Sequence, residues 1–170
     1  MPPPHLSCRG LRVAKAPFSL NYVVRHRRCS PPTDRRCQAT PVTVVIADDY
    51  PDYRLLVRLL LTSLSDTISI VGEAADGVEA LALVRRERPD IVIADLLMPR
   101  LDGLELTRRI KHERPETKVI LITSYAEACQ PVARASDADA VVNKLGLRSG
   151  LVPAVRDVIV RCQPQDHVIE

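Results

Sequence analysis

Five short apolar runs, each stopping at polar or turn-forming residues and each followed by a helix-like pattern, constrain this chain more than any other feature. Val42–Ala47 runs into Asp48-Asp49, Ile91–Ala94 into Asp95, Val119–Ile122 into Thr123-Ser124, and Ala140–Val142 into Asn143-Lys144. Ile68–Val71 is shorter and more polar, as expected of an edge strand. Continuous Val/Ile-rich runs of this length suit strands buried on both faces. Between them, Leu56, Leu59, Leu60 and Leu64, then Val78, Leu81 and Val84, then Leu106 and Ile110 fall at helical spacing. Leu147, Leu151, Val155, Val158 and Ile159 give a last helix its apolar stripe. Pro51 fits the first turn of its helix, while Pro131 should shorten the helix expected over 126–137 or make it irregular.

Strand and helix alternating five times predict an α/β fold, a (βα)5 doubly wound five-stranded parallel sheet with helices on both faces, in three α/β/α layers. Right-handed crossovers bring the carboxyl ends of the strands to one rim. That rim is where open α/β sheets bind ligands. Asp48, Asp49, Asp95, Thr123 and Lys144 are therefore expected to meet.

Three carboxylates so placed repel one another, at about 4 kcal/mol per pair for a separation near 4 Å and an effective dielectric near 20. A hard divalent cation among them resolves the conflict. Mg²⁺ in particular is held by one or two carboxylates, waters and a phosphate oxygen. A carboxylate can itself attack phosphorus and form an aspartyl-phosphate. Thr123 and Lys144 are the groups that could then hold phosphoryl oxygens. Asp76, Glu79 and Asp102 read instead as helix caps or surface acids, and His112 as an exposed residue.

The net charge of +3 at pH 7 hides a split. Residues 1–40 carry eight Lys or Arg against Asp34 alone, a net +7, and the rest carries 16 basic against 20 acidic residues, a net −4. A basic pI therefore argues nothing about nucleic acid for the folded part. The Pro- and Arg-rich extension 1–40 is expected to be disordered, residues 41–163 to fold, and 164–170 to form a short tail. A transit peptide, or a true start near Pro41, are the other readings of the extension. His26, Cys29 and Cys37 lack the second spaced pair that a zinc site needs, and five cysteines without regular spacing argue against a disulfide framework. No apolar run approaches the ~18 residues of a membrane span, so no membrane partner and a cytoplasmic location are expected.

The blocks Val44-Val45-Ile46-Ala47-Asp48-Asp49, Asp95-Leu96-Leu97-Met98-Pro99-Arg100-Leu101-Asp102-Gly103, Val119-Ile120-Leu121-Ile122-Thr123-Ser124 and Asn143-Lys144 together resemble a bacterial response-regulator receiver domain of the CheY-like superfamily. The resemblance covers about Val42 to Val160. It implies a flavodoxin-like strand order 2-1-3-4-5 and two-component signal transduction. Asp95 would be the phosphoacceptor, receiving its phosphoryl group from a histidine kinase, a phosphotransfer protein or a small phosphodonor. Mg²⁺ would sit on Asp49 directly, Asp48 through water, Asp95 and the backbone carbonyl of Leu97. Thr123 and Lys144 would contact the phosphoryl group, and small Ser124 would leave donors a path. Such a domain promotes its own phosphorylation and dephosphorylation without being a conventional enzyme.

Two departures from the family pattern shape the expected output. The position three before Lys144, often an aromatic switch, is Val141. The chain also ends at Glu170, just after the last helix, although Ile70-Val71-Gly72-Glu73-Ala74 resembles a subfamily that usually carries a helix-turn-helix. A downstream effector protein, no direct DNA binding and a possible homodimer through helix 4, strand 5 and helix 5 are therefore expected. The alternatives are a receiver-like interaction module that uses no phosphate, and the receiver half of a DNA-binding regulator. A phosphohydrolase would want an acid two residues after Asp95, where Leu97 stands.

Overall fold

The computed structural model describes residues 22–24, 41–125 and 129–162. In chain order the elements are β1 (Tyr22–Val24), β2 (Val42–Ala47), α1 (Pro51–Leu61), β3 (Ile68–Ala74), α2 (Gly77–Glu87), β4 (Ile91–Asp95), α3 (Gly103–Glu113), β5 (Lys118–Thr123), α4 (Cys129–Ala135), β6 (Ala140–Asn143) and α5 (Leu147–Cys162). The five parallel strands lie in the order β3-β2-β4-β5-β6, the expected 2-1-3-4-5 arrangement.

Strand side chains alternate between two faces, and the core splits accordingly. Val45, Ala47, Val92, Ala94, Val119, Leu121 and Val141 pack with Leu81 and Val84 of α2, Leu106 and Ile110 of α3, and Ala133 of α4. Val44, Ile46, Ile91, Ile93, Ile120, Ile122 and Val142 pack on the other face with Val57 and Leu61 of α1 and Leu147, Leu151, Val155 and Val158 of α5. Because both faces are covered, β4 is buried along its whole length. That explains its lack of polar alternation.

Two details depart from the expectation and one follows it. β3 continues to Ala74, three residues beyond the predicted run, and Val71 is skipped in its register with β2, a bulge that carries the edge strand past Gly72. The Pro131-bearing helix, described over Cys129–Ala135, ends two residues short of 137, a shortening of the kind expected. Finally, the sheet has a sixth strand. Tyr22–Val24 pairs antiparallel with β6, Tyr22 opposite Val142 and Val24 opposite Ala140, so the reading of residues 1–40 as disordered does not hold there. Tyr and Val favour extended backbone, and β6 offers them an open edge. The rest of that extension and the 164–170 tail lie outside the described residues, as do His5, His26, Cys8, Cys29 and Cys37.

Asp76 and Asp102 cap their helices as expected. Asp76 accepts hydrogen bonds from the backbone N–H of Val78 and Glu79, and Asp102 from Glu105. Arg100 holds a left-handed φ of 64° at the centre of a tight turn closed by the Leu101 N–H on the Pro99 carbonyl, and its guanidinium pairs with Asp76. Asp76→Ala is expected to cost about 1 kcal/mol in urea unfolding, the usual worth of an N-cap, because two helix N–H groups lose their acceptor.

Candidate functional site

The strand ends place the predicted residues as the topology requires. Asp48 and Asp49 follow β2, Asp95 ends β4, Thr123 ends β5 and Lys144 follows β6. Paired registers of Ala47 with Ala94, Asp95 with Ile122 and Thr123 with Asn143 bring these ends level. The result is an open cleft of about 410 Å³ lined by Asp49, Tyr50, Tyr53, Asp95, Leu97, Thr123, Ser124, Tyr125 and Lys144. Asp48 is buried beside it.

Lys144 Nζ stands 2.8 Å from Asp48 Oδ2 and 2.9 Å from Asp95 Oδ2, tying the ends of β2, β4 and β6 together. Burial pushes its pKa down, but the hydrogen bonds and charges of the two carboxylates outweigh that and the net shift is upward. The ammonium stays charged. Asp95 is 6 % exposed, and burial lifts its carboxyl above the ordinary Asp range. The hydrogen bond and charge of Lys144 pull it back only in part, and the neighbouring Asp48 carboxylate adds to the rise. The Thr123 hydroxyl accepts from the Tyr125 N–H at 3.2 Å, which orients its oxygen at the cleft floor.

Oxygens of Asp48, Asp49 and Asp95 lie within 4.8 Å of one another. One ammonium among three carboxylates leaves the cluster with an excess of two negative charges. Asp49 Oδ1 is in addition buried with no hydrogen-bond partner, and a buried carboxylate oxygen in that condition is costly unless a cation completes it. The donor set is all oxygen and suits a hard divalent ion. These residues fit Mg²⁺.

Sequence reasoning missed a layer around this centre. The Tyr53 ring packs under Lys144, with Nζ 4.2 Å from its centroid, and Tyr50 meets Tyr53 edge-on at 6.3 Å. Arg54 donates to the Asp48 carbonyl at 2.7 Å and the buried Asn143 side chain accepts from the Leu145 N–H, fixing the turn after β6. One signal was present: the chain has only four Tyr, and three of them line the cleft. Leu97 and Tyr125 flank the mouth, 58 % and 61 % exposed. Val141 is fully buried, and His112 is exposed as expected.

Residues 44–155 match the response regulator receiver domain family. The response regulator protein VraR of Staphylococcus aureus is 38% identical over 117 residues, which are 68% of this chain and 55% of VraR. The chain thus spans about half the length of the curated relatives it matches. Among solved structures, the signal receiver domain of the response regulator NarL from Mycobacterium tuberculosis is 33% identical, with a TM-score of 0.59 over 69% of this chain and 94% of that one. A CheX–CheY complex with BeF₃ and magnesium from Borrelia burgdorferi contains a chain that is 27% identical, at a TM-score of 0.63 over 70% of this chain and 90% of that one.

Proposed function

The chain belongs to the response regulator receiver domain family, and from that premise we propose that it takes a phosphoryl group onto Asp95 in a Mg²⁺-dependent reaction. The observation that carries the reading is the buried triad of Asp48, Lys144 and Asp95 beside the partnerless oxygen of Asp49. An Oδ of Asp95 attacks phosphorus, the P–N bond of a phosphohistidine breaks, and the imidazole leaves with the electron pair. Lys144, held between two carboxylates, meets one phosphoryl oxygen, and the Thr123 hydroxyl meets another. Asp49, Asp95 and the Leu97 carbonyl would hold Mg²⁺, with Asp48 supporting it through water, and the bound ion would neutralise charge at the phosphoryl oxygens. Leu97 and Tyr125 narrow the route of water to the acyl phosphate. The domain promotes its own phosphorylation and dephosphorylation rather than acting as a conventional enzyme.

Phosphorylation adds about −1.5 to −2 charges at neutral pH. Such a charge shifts a docking surface only through a difference in its interaction with two states of that surface. With Val141 in place of an aromatic switch, the change passes through the Thr123 loop and Lys144. The donor is a histidine kinase or phosphotransfer protein in the cytoplasm, and the reader is a downstream effector. One observation favours a second reading, the receiver half of a DNA-binding regulator: RcsB from Salmonella enterica, solved bound to a promoter, is 26% identical at a TM-score of 0.64 and is covered over only 62% of its length.

Acetyl phosphate tests the first step. The wild-type protein is expected to gain one phosphoryl group with Mg²⁺ present and none after chelation with EDTA, read by intact mass. Equal uptake in both conditions, or none in either with a cognate kinase supplied, would defeat the proposal.

A further inference from the structure

The site leaves the β1 strand unexplained. Ala140, Val141 and Val142 of β6 are buried on both faces, beneath α4 and α5, and carry no charge. With β5 on one side only, β6 would present a row of unpaired backbone groups on an apolar strand. Proteins normally blunt such an edge with charges, proline or a covering segment, because it templates pairing with another chain. Here the covering segment is Tyr22–Val24.

We propose that residues 22–24 are a built-in edge strand that seals β6 against strand pairing by a second copy of this chain, and that they can be displaced. Residues 25–41 number 17 and span about 55–60 Å when extended. Crossing from β1 to β2 takes four inter-strand steps, about 19 Å. The segment therefore reaches its own domain with slack to spare. A ladder of three residue pairs is short, so it yields more easily than the parallel ladders inside the sheet. Its position gives it consequence: the ladder ends opposite Val142, two residues before Lys144, on the side of the fold flanked by α4 and α5. A homodimer through that surface requires β1 to leave. The inference concerns backbone pairing and holds whether or not Asp95 is phosphorylated.

The test compares the full chain with V23P/V24P and V23T/V24T. Successive N–H groups of a strand point to opposite sides, so one of two adjacent prolines must remove a donor facing β6. Threonine keeps both donors and the extended preference. Hydrogen exchange is expected to be unchanged in the Thr variant. In the Pro variant it should rise at least about tenfold for an amide among Ala140–Val142, while β4 amides stay protected. Sedimentation should then show a monomeric wild type and concentration-dependent self-association of the Pro variant. Unchanged exchange overturns the edge assignment, and a monomeric Pro variant overturns the sealing role. A wild type that is dimeric, and that dissociates on proline substitution, would instead place the strand on a neighbouring copy, overturning the proposal that each chain seals itself.

Discussion

Asp95→Asn is expected to abolish phosphoryl uptake from acetyl phosphate and Mg²⁺ while leaving the protein folded and no less stable at neutral pH. An amide has the size of the carboxyl it replaces but is a far poorer nucleophile, so the P–O bond does not form. The stability half follows from electrostatics. Burial raises the folded-state pKa of Asp95, so between the ordinary Asp value and that raised value the folded state binds more protons than the unfolded one. Stability then falls as pH climbs through this window, and the loss persists above it. Above that window the ionised carboxylate is thus a burden on the fold. The Asn variant removes it, so its Tm without Mg²⁺ should equal or exceed that of wild type, and the difference should vanish as the pH drops below the window. A Tm several degrees lower at neutral pH would mean that the contact with Lys144 outweighs the burial.

Gly103→Ala should act on the scaffold beneath the same residue. A Cβ at Gly103 would sit 2.3 Å from the Asp95 carbonyl oxygen and 3.0 Å from the Leu96 Cα. Backbone on both sides cannot rotate away, so the start of α3 must move off the end of β4. Overpacking of this kind costs about 1–3 kcal/mol. A Tm drop of several degrees is the expected readout, together with slower phosphorylation, because the shifted backbone carries the nucleophile. Gly103→Ala at wild-type Tm would show that the α3–β4 approach is looser than described.

Most of this centre could be read from residue order because buried parallel strands announce themselves. Ile91–Ala94 has no polar alternation, and once the strands are placed, Asp48, Asp95, Thr123 and Lys144 must share a rim. The same reasoning was blind where the cause is tertiary. Tyr53 lies a full helical turn beyond Asp49, and nothing local says that its ring will pack under Lys144 from a strand ninety residues on. Tyr22–Val24 is too short for periodicity to register and sits in a basic, proline-rich context, so only the open edge of β6 reveals a use for it. The left-handed Arg100 was likewise illegible, since its turn is stabilised by a contact with Asp76 on another loop. Charges at strand ends could be read from order; the groups that orient them could not.

The most direct measurement is a titration of the wild-type protein with beryllofluoride and Mg²⁺, followed by backbone and side-chain NMR. On the phosphoacceptor reading, resonances of Asp95, Thr123 and Lys144 are expected to shift together, both components to be required, and Asp49→Ala to suppress the response. Spectra that stay unchanged when both are added, in a protein that remains folded, would contradict it.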